Sequence, residues 1–263
     1  MRIAIALLAC LALDALADDA TFPQGKPIEI TCLFPAGSSA DVTARMLADG
    51  MSKALNQRVL VIDKPGAGGA IGYKFVAGQK PDGYALVWNS NSISTTHHSG
   101  QLDIDYRAFD PVARVLVESP VVAVRADARW KTLADLIADA KTHPKQISVG
   151  HSGVGSHTHL VLAALTPARD PALPDVPTAR EQGVDVALEA WRGIAVPHGT
   201  PKAVIAALEA AIRKAVESPE FAKESETLNV RPAFMPADEF GALMAREDGE
   251  IAATMKAIGI ATQ

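Results

Sequence analysis

Two loops rich in small residues carry the groups best suited to holding an anion. The first runs from Phe34 to Asp41 and joins an apolar, strand-like stretch to a segment with helical periodicity. The first N–H groups of a helix lack internal acceptors and carry the positive end of the helix dipole, so this loop favours a carboxylate or a phosphate. The candidate ligand contacts in it are Phe34, Ala36, Gly37, Ser38, Ser39 and Asp41. Ser38 followed by Asp41 also fits a capping box, in which the helix satisfies its own first turn.

The second loop, residues 151–159, follows the strand-like stretch 147–150 and is rich in glycine and hydroxyl groups. Two such loops facing each other would clamp one anion. The candidate contacts here are Ser152, Gly153, Gly155, Ser156 and His157. Asn89 and Ser90 follow a third predicted strand, where they either hydrogen-bond a ligand or form a solvated connection.

The motifs that would indicate catalysis are incomplete. The glycine-rich stretch 66–72 misses G-x-G-x-x-G because Ile71 stands at the third glycine, and Val154 stands where a nucleophile elbow needs glycine. His157 and His159 are two residues apart and point to different faces of a helix, without an acidic or cysteine neighbour to complete a metal site. We therefore predict no enzyme activity, no cofactor and no metal. A secreted hydrolase using Ser152 or Ser156 stays open as a lesser alternative.

Strands and helices alternate in the first part of the chain. Strands are predicted from Ile28, at 58–62 and at 84–88, with helices after the first two, which is the pattern of a doubly wound α/β fold. Such a fold places its ligand loops at the carboxyl ends of the strands. Further along we predict an extended region over 110–124, strands at 147–150 and 191–196, a capping box from Thr132, and a last helix over 236–257. Helix starts are predicted at Thr200-Pro201 and Ser218-Pro219.

Composition and targeting signals narrow the cellular role. The chain has 263 residues, 48% of them hydrophobic, and a net charge of −5 without a run of Lys and Arg, so nucleic acid is not an expected partner. Residues 1–17 have a basic start, an apolar stretch and an Ala15-Leu16-Ala17 end, which is typical of a secretory signal peptide. We expect export to the periplasm. Cys32 would then be a lone thiol on an apolar strand, because Cys10 leaves with the signal.

At this point the sequence resembles the Bug (TctC) family, the periplasmic solute-binding proteins of tripartite tricarboxylate transporters. The matching pieces follow the family order: Lys26-Pro27-Ile28; Phe34-Pro35-Ala36-Gly37 with Asp41; Ala44-Arg45-Met46-Leu47; Pro65-Gly66-Ala67-Gly68-Gly69 with Ile71-Gly72; Pro81-Asp82-Gly83-Tyr84; Lys131-Thr132-Leu133; Gly153-Val154-Gly155-Ser156 with His159-Leu160; 171–178; Trp191-Arg192-Gly193; and Gly199-Thr200-Pro201. The resemblance implies a type II periplasmic-binding-protein fold whose two lobes close on a small organic carboxylate, with membrane permease subunits as partners. We expect a monomer.

The sequence departs from the family in one large respect. In the family, further strands and helices separate the helix of His159-Leu160 from the Pro171 motif, whereas here Leu165-Thr166 runs almost directly into it. The resemblance therefore implies one lobe from 18–119 and 196–263, and a second lobe from 120–195 that is shortened near 165–170. The predicted function is capture of a small carboxylate for a tripartite tricarboxylate-type transporter. The alternative is a truncated paralogue with weak or no solute binding.

Overall fold

The computed structural model describes residues 22–119, 121–143, 146–148, 150, 158 and 189–257. The strands are β1 (Ile28–Cys32), β2 (Val59–Asp63), β3 (Ala85–Ser90), β4 (Phe109–Glu118), β5 (Ala190–Pro197) and β6 (Arg231–Pro236). The helices are α1 (Ser39–Leu55), α2 (Ala70–Ala77), α3 (Ser92–His98), α4 (Leu133–Thr142), α5 (Lys202–Val216), α6 (Pro219–Leu228) and α7 (Ala237–Ala257). In these ranges no helix has the length and apolar character needed to cross a bilayer.

The strands form one mixed sheet in the order β2-β1-β3-β5-β4-β6. β1 pairs in parallel with β2 and β3, as the predicted alternation of strands and helices requires. β5 enters between β3 and β4 and runs antiparallel to both, and β6 pairs antiparallel with β4 at the far edge. The mixed α/β architecture confirms the predicted fold class.

Apolar side chains on both faces of the sheet explain why helices cover both faces. Successive strand residues point to opposite faces, and in β3 Leu86 and Trp88 join one core cluster while Val87 joins another. The first cluster packs against α1, α5 and α6, and the second against α2 and α3. Cys32 lies in the first cluster, and burial raises the pKa of its thiol to about 11. It is therefore an uncharged core residue at neutral pH.

Local end signals in the sequence account for several helix boundaries. The capping box at Thr132 and Asp135 is present, and Ser218 caps α6 with Pro219 in its first turn, as predicted. The predicted cap at Thr200 is wrong, because Pro201 occupies the cap position and the Thr200 hydroxyl donates to the Pro197 carbonyl oxygen at 2.7 Å. Thr200 therefore stabilises the turn after β5 rather than the start of α5.

Four other predictions differ from the structure. The extended region ends at Glu118, and Val121 and Val124 lie outside any strand and are exposed. Residues 146–148 and 150 are not in a strand.

β6 was not predicted, because the prolines in Arg231–Pro236 weaken the strand pattern and are tolerated at a sheet edge. Asn89 and Ser90 end β3 instead of forming a loop. The predicted lobe boundary at 195–196 falls inside β5, and the division into lobes stays a prediction.

Gly193 sits where β5 meets both β4 and α7. A Cβ atom added there would lie 2.6 Å from the Ala113 carbonyl oxygen and 2.6 Å from the Phe240 ring. We expect Gly193→Ala to lower the free energy of unfolding by about 1–3 kcal/mol, because backbone on one side cannot move aside cheaply. Urea unfolding followed by circular dichroism measures the change.

Gly249 supplies the matched control, since a Cβ atom there meets nothing within 4 Å on α7. Gly249→Ala should be neutral or stabilising by up to about 1 kcal/mol, because alanine is the better helix former. Similar losses in both variants would contradict the close packing assigned to Gly193.

Candidate functional site

The loop between β1 and α1 is held in place by its own side chains. Ser38 is extended, with φ −71° and ψ 160°, and its hydroxyl oxygen accepts from the Asp41 N–H at 3.3 Å. Asp41 reaches back one residue further than a capping box requires and accepts from the Gly37 N–H at 2.8 Å. The capping-box alternative is therefore half correct. Gly37 has φ +80°, which favours glycine at this turn.

Two amides at the start of α1 remain for an anion. The Ser38 N–H donates to the Pro35 carbonyl oxygen, and the Gly37 and Asp41 amides are used as described above. Helix geometry leaves the first-turn N–H groups of Ser39 and Ala40 without an intrahelical acceptor. These two amides lie at the positive end of a 17-residue helix, and anion binding by the loop stays a prediction.

Two carboxylates next to this loop, those of Asp41 and Asp63, share the Arg45 guanidinium. Asp41 is almost fully buried, and Arg45 contacts it through Nε at 2.7 Å and contacts Asp63, the last residue of β2, through Nη2 at 3.0 Å. Burial, followed by the negative charge of Asp41, raises the pKa of the Asp63 carboxyl. One guanidinium therefore compensates two carboxylates that repel each other. Asp41 positions the loop through these contacts, and its ligand role stays a prediction.

An ion pair that sequence reasoning missed lies in front of the loop. The Glu118 carboxylate accepts from the Ser39 hydroxyl at 2.5 Å and from Arg192 Nε at 2.9 Å. The Arg192 guanidinium also lies over the Phe34 ring, 5.4 Å from its centroid, and both charged side chains are largely buried. Arg192 was noticed in the Trp191-Arg192-Gly193 motif without a role, and Glu118 carries no local signal because it is 74 residues away in sequence.

Ser90 and Asn89 differ in how they relate to this ion pair. Ser90 is the register partner of Arg192 across the β3–β5 pairing, so it lies beside the site. Asn89 is fully buried, and its Oδ1 accepts from the Tyr73 hydroxyl and from the Ser90 N–H, both at 2.8 Å. Burial raises the pKa of Tyr73, which stays protonated as a donor. The Asn89 side chain is thus engaged within the protein, and its ligand role stays a prediction.

A second polar network joins α7 to the start of β5 and to Asn91, the residue after β3. The Glu247 carboxylate on α7 accepts from Asn91 Nδ2 at 2.6 Å and from Trp191 Nε1 at 2.7 Å. Asn91 Oδ1 accepts in turn from the Trp191 N–H at 3.0 Å. Burial raises the pKa of Glu247. The last helix therefore holds Trp191, the direct neighbour of Arg192.

The structure brings part of the predicted site together. Phe34, Ser39 and Ser90 surround Arg192, while Gly37, Ser38 and Asp41 form the supporting turn. Ala36 is an exposed residue of the same loop. The remaining candidates lie outside the described residues and stay predictions: Ser152, Gly153, Gly155, Ser156 and His157. Of the two loops expected to clamp an anion, the described residues include the first, 34–41.

Known proteins resemble this chain along most of its length. The family model described as "Tripartite tricarboxylate transporter family receptor" matches residues 43–168 and 161–260. An uncharacterised-family (UPF0065) protein from Cupriavidus necator is 25% identical over 98% of this chain and 95% of its own length. That alignment has 311 positions against 263 residues here, so at least 48 positions are filled in the relative alone. The family match breaks into two segments that meet at 161–168.

Solved structures share the fold. A TctC solute-binding protein from Polaromonas is 27% identical, with a TM-score of 0.66 over 90% of this chain and 99% of that chain. The periplasmic binding protein BugD is 24% identical, with a TM-score of 0.82 over 91% and 100%. Two Rhodopseudomonas palustris proteins were solved with adipate (20%, TM-score 0.82, 91% and 99%) and with malate (22%, 0.73, 87% and 98%).

The carboxylate pair beneath the loop predicts a pH-dependent stability. A raised pKa in the folded chain means that ionising Asp63 costs stability as the pH rises from its ordinary value of 3.8 through the raised one. We expect Asp63→Asn to increase the free energy of unfolding at pH 7, and the gain to vanish below the ordinary value, where Asp63 is protonated in both states. Urea unfolding between pH 3 and pH 7, chosen as roughly the span of carboxyl titration, measures it.

Asp49→Asn on the exposed side of α1 is the control, and it should give the same small difference at every pH. A gain for Asp63→Asn that persisted undiminished at low pH would rule out the ionisation of Asp63 as its cause.

Proposed function

The chain belongs to the TctC family of tripartite tricarboxylate transporter receptors, and we propose that it captures a small organic carboxylate in the periplasm and delivers it to membrane permease subunits. Proteins of this family are periplasmic solute-binding proteins rather than enzymes. A receptor of this kind needs no catalytic group, cofactor or metal, and we propose that this chain uses none. We further propose that it is exported by the signal peptide predicted at residues 1–17 and acts as a monomer.

One arrangement supports the proposal: the start of α1, the Phe34 ring and the Arg192 guanidinium lie close together near the ends of β1 and β3. Ser39 and Ala40 offer N–H groups, and Arg192 lies over Phe34 beside them. Amides and a guanidinium fork are donors without acceptor capacity, which suits a carboxylate oxygen and disfavours a neutral or cationic solute. The position at the carboxyl ends of parallel strands is where doubly wound folds bind ligands.

The ligands of the related structures suggest the size of the solute. Adipate and malate are both short dicarboxylates, and each is bound by a protein with this fold. We propose a di- or tricarboxylate of similar length for this chain. One carboxylate would meet the α1 amides, and another would meet the loop at 151–157, which completes the proposed clamp from the second lobe.

A second function stays open because of the chain's length. At least 48 positions of the C. necator relative have no counterpart here, and the family match breaks at 161–168. Missing elements would fall in the second lobe, near 165–170, and a lobe with an incomplete sheet binds solute weakly and exposes a strand edge. On this alternative the protein is a truncated paralogue that self-associates or has lost solute binding.

Solute binding is tested first by thermal stabilisation of the mature protein with malate, adipate, citrate and succinate. A ligand at about 100 times its dissociation constant adds roughly 2.7 kcal/mol to the free energy of unfolding. A monomer with a cooperative transition that one of these acids raises supports the receptor. No stabilisation by any of them, together with self-association, supports the truncated paralogue.

A proline at Ser39 tests the α1 amides directly. Ser39 is the first residue of α1, where proline removes no helical hydrogen bond, and Ser38 already has the extended conformation that a following proline requires. Ser39→Pro should weaken carboxylate binding about tenfold relative to Ser39→Ala, because both lose the hydroxyl but the proline alone loses the N–H. Isothermal titration calorimetry measures the ratio.

Both Ser39 variants should unfold within about 0.5 kcal/mol of each other, since the substituted residue lies at the solvent-facing start of the helix. Equal dissociation constants for the two variants would remove the helix amides from the site.

A further inference from the structure

We propose that Glu118 is an internal competitor for the solute: its carboxylate pairs with Arg192, and a solute carboxylate displaces it. This inference rests on the proposed function and adds the anchoring residue and the means by which affinity is set. No covalent step is involved. One carboxylate replaces another on the same guanidinium.

The positions of Arg192 and Glu118 favour replacement of the Glu118 carboxylate by a solute carboxylate over a permanent structural ion pair. Arg192 lies in β5, which pairs on both sides, and its register partners are Ser90 in β3 and Leu116 in β4. Glu118 is two residues beyond Leu116, so it approaches from the diagonal position on the same face. Glu118 is also the last residue of β4, where the chain leaves the sheet. A small movement of the strand end would withdraw its carboxylate.

The contact that Glu118 makes uses a small part of what Arg192 offers. The guanidinium has five N–H donors in a planar fork, and Glu118 meets it through Nε. A solute carboxylate that engages two of these donors in parallel makes the stronger, bidentate arrangement. Glu118 also accepts from the Ser39 hydroxyl, a neutral donor at the exposed start of α1. A solute carboxylate in the bidentate arrangement therefore gains a second charged hydrogen bond to Arg192 that Glu118 does not make.

Burial gives the reason for a competitor at all. Arg192 stands among apolar residues in a central strand, and an uncompensated charge there would be costly. Replacing such a buried pair by apolar residues often costs nothing or stabilises a protein, so stability alone does not explain a charged pair in this place. Glu118 compensates Arg192 until a solute carboxylate takes its place, and the same compensation lowers the affinity for solute.

Charge removal at Glu118 separates this role from a purely structural one. Glu118→Gln keeps the shape and the hydrogen-bonding ability of the side chain but cancels its charge, so we expect malate or adipate to bind at least about tenfold more tightly. Arg192→Gln should weaken binding by a similar factor, and Arg192→Lys should fall between, because it keeps the charge without the fork. A strut holding β4 to β5 predicts lower stability in the glutamine variants with unchanged affinity.

The double variant gives the deciding measurement. Once Arg192 is replaced by Gln, Glu118 no longer competes with the solute for that guanidinium, so adding Glu118→Gln should no longer tighten binding by about tenfold. Matched controls are Arg213→Gln and Glu217→Gln, an exposed Arg–Glu pair at the end of α5, which should leave the dissociation constant unchanged. Urea unfolding of each variant confirms that affinities are compared between folded proteins.

The outcomes distinguish the inference from the proposed function. If the wild type binds a carboxylate while Glu118→Gln binds it no more tightly, the competitor role is wrong and the receptor assignment stands. Additive effects in the double variant overturn the competitor role in the same way. If neither the wild type nor Glu118→Gln binds any of the acids, the proposed function falls and the inference falls with it.

Discussion

The structure depends on the insertion of β5 between β3 and β4. In the described part of the chain, β5 is the strand that joins the parallel half of the sheet, β2-β1-β3, to the antiparallel half, β4-β6. Gly193 allows the backbone of β4 and the Phe240 ring of α7 to approach this strand at distances that a side chain would prevent. The same insertion brings Arg192 beside Ser90 and within reach of Glu118. The placement of β5 therefore completes the sheet and also brings together the residues of the candidate site.

The sequence carries enough local information to predict the parallel half of the fold and several helix ends. Strand periodicity, the loop before α1, the capping box at Thr132 and the Ser218-Pro219 start all depend on neighbours within a few residues. Long-range pairing is different. Nothing near Trp191 indicates that its strand runs antiparallel between two others, and the prolines of β6 conceal an edge strand. The extension of a strand through Val121 failed because apolar residues alone do not supply a pairing partner.

The candidate site shows the same division. The loop at 34–41 could be predicted because a strand, small residues and a helix start adjoin in sequence. The separate roles of its residues could not be predicted, because they depend on which backbone amide the Asp41 carboxylate binds. In the structure that amide belongs to Gly37. The Arg192–Glu118 ion pair joins residues far apart in the chain. It could not be predicted without knowing that β4 and β5 are neighbours in the sheet. Asn89 shows the converse, because this polar residue, predicted to follow a strand, lies within β3 and hydrogen-bonds inside the protein.

The carboxylate of Glu247 gives the carboxyl-terminal helix an influence beyond packing. It accepts a hydrogen bond from the indole N–H of Trp191, and the next residue along the strand is Arg192. If the proposed function holds, substitutions on this helix would change solute affinity through Trp191 and Arg192 without altering an atom that touches the solute. Sequence variation in this helix would then adjust binding in the same way as variation at the proposed site.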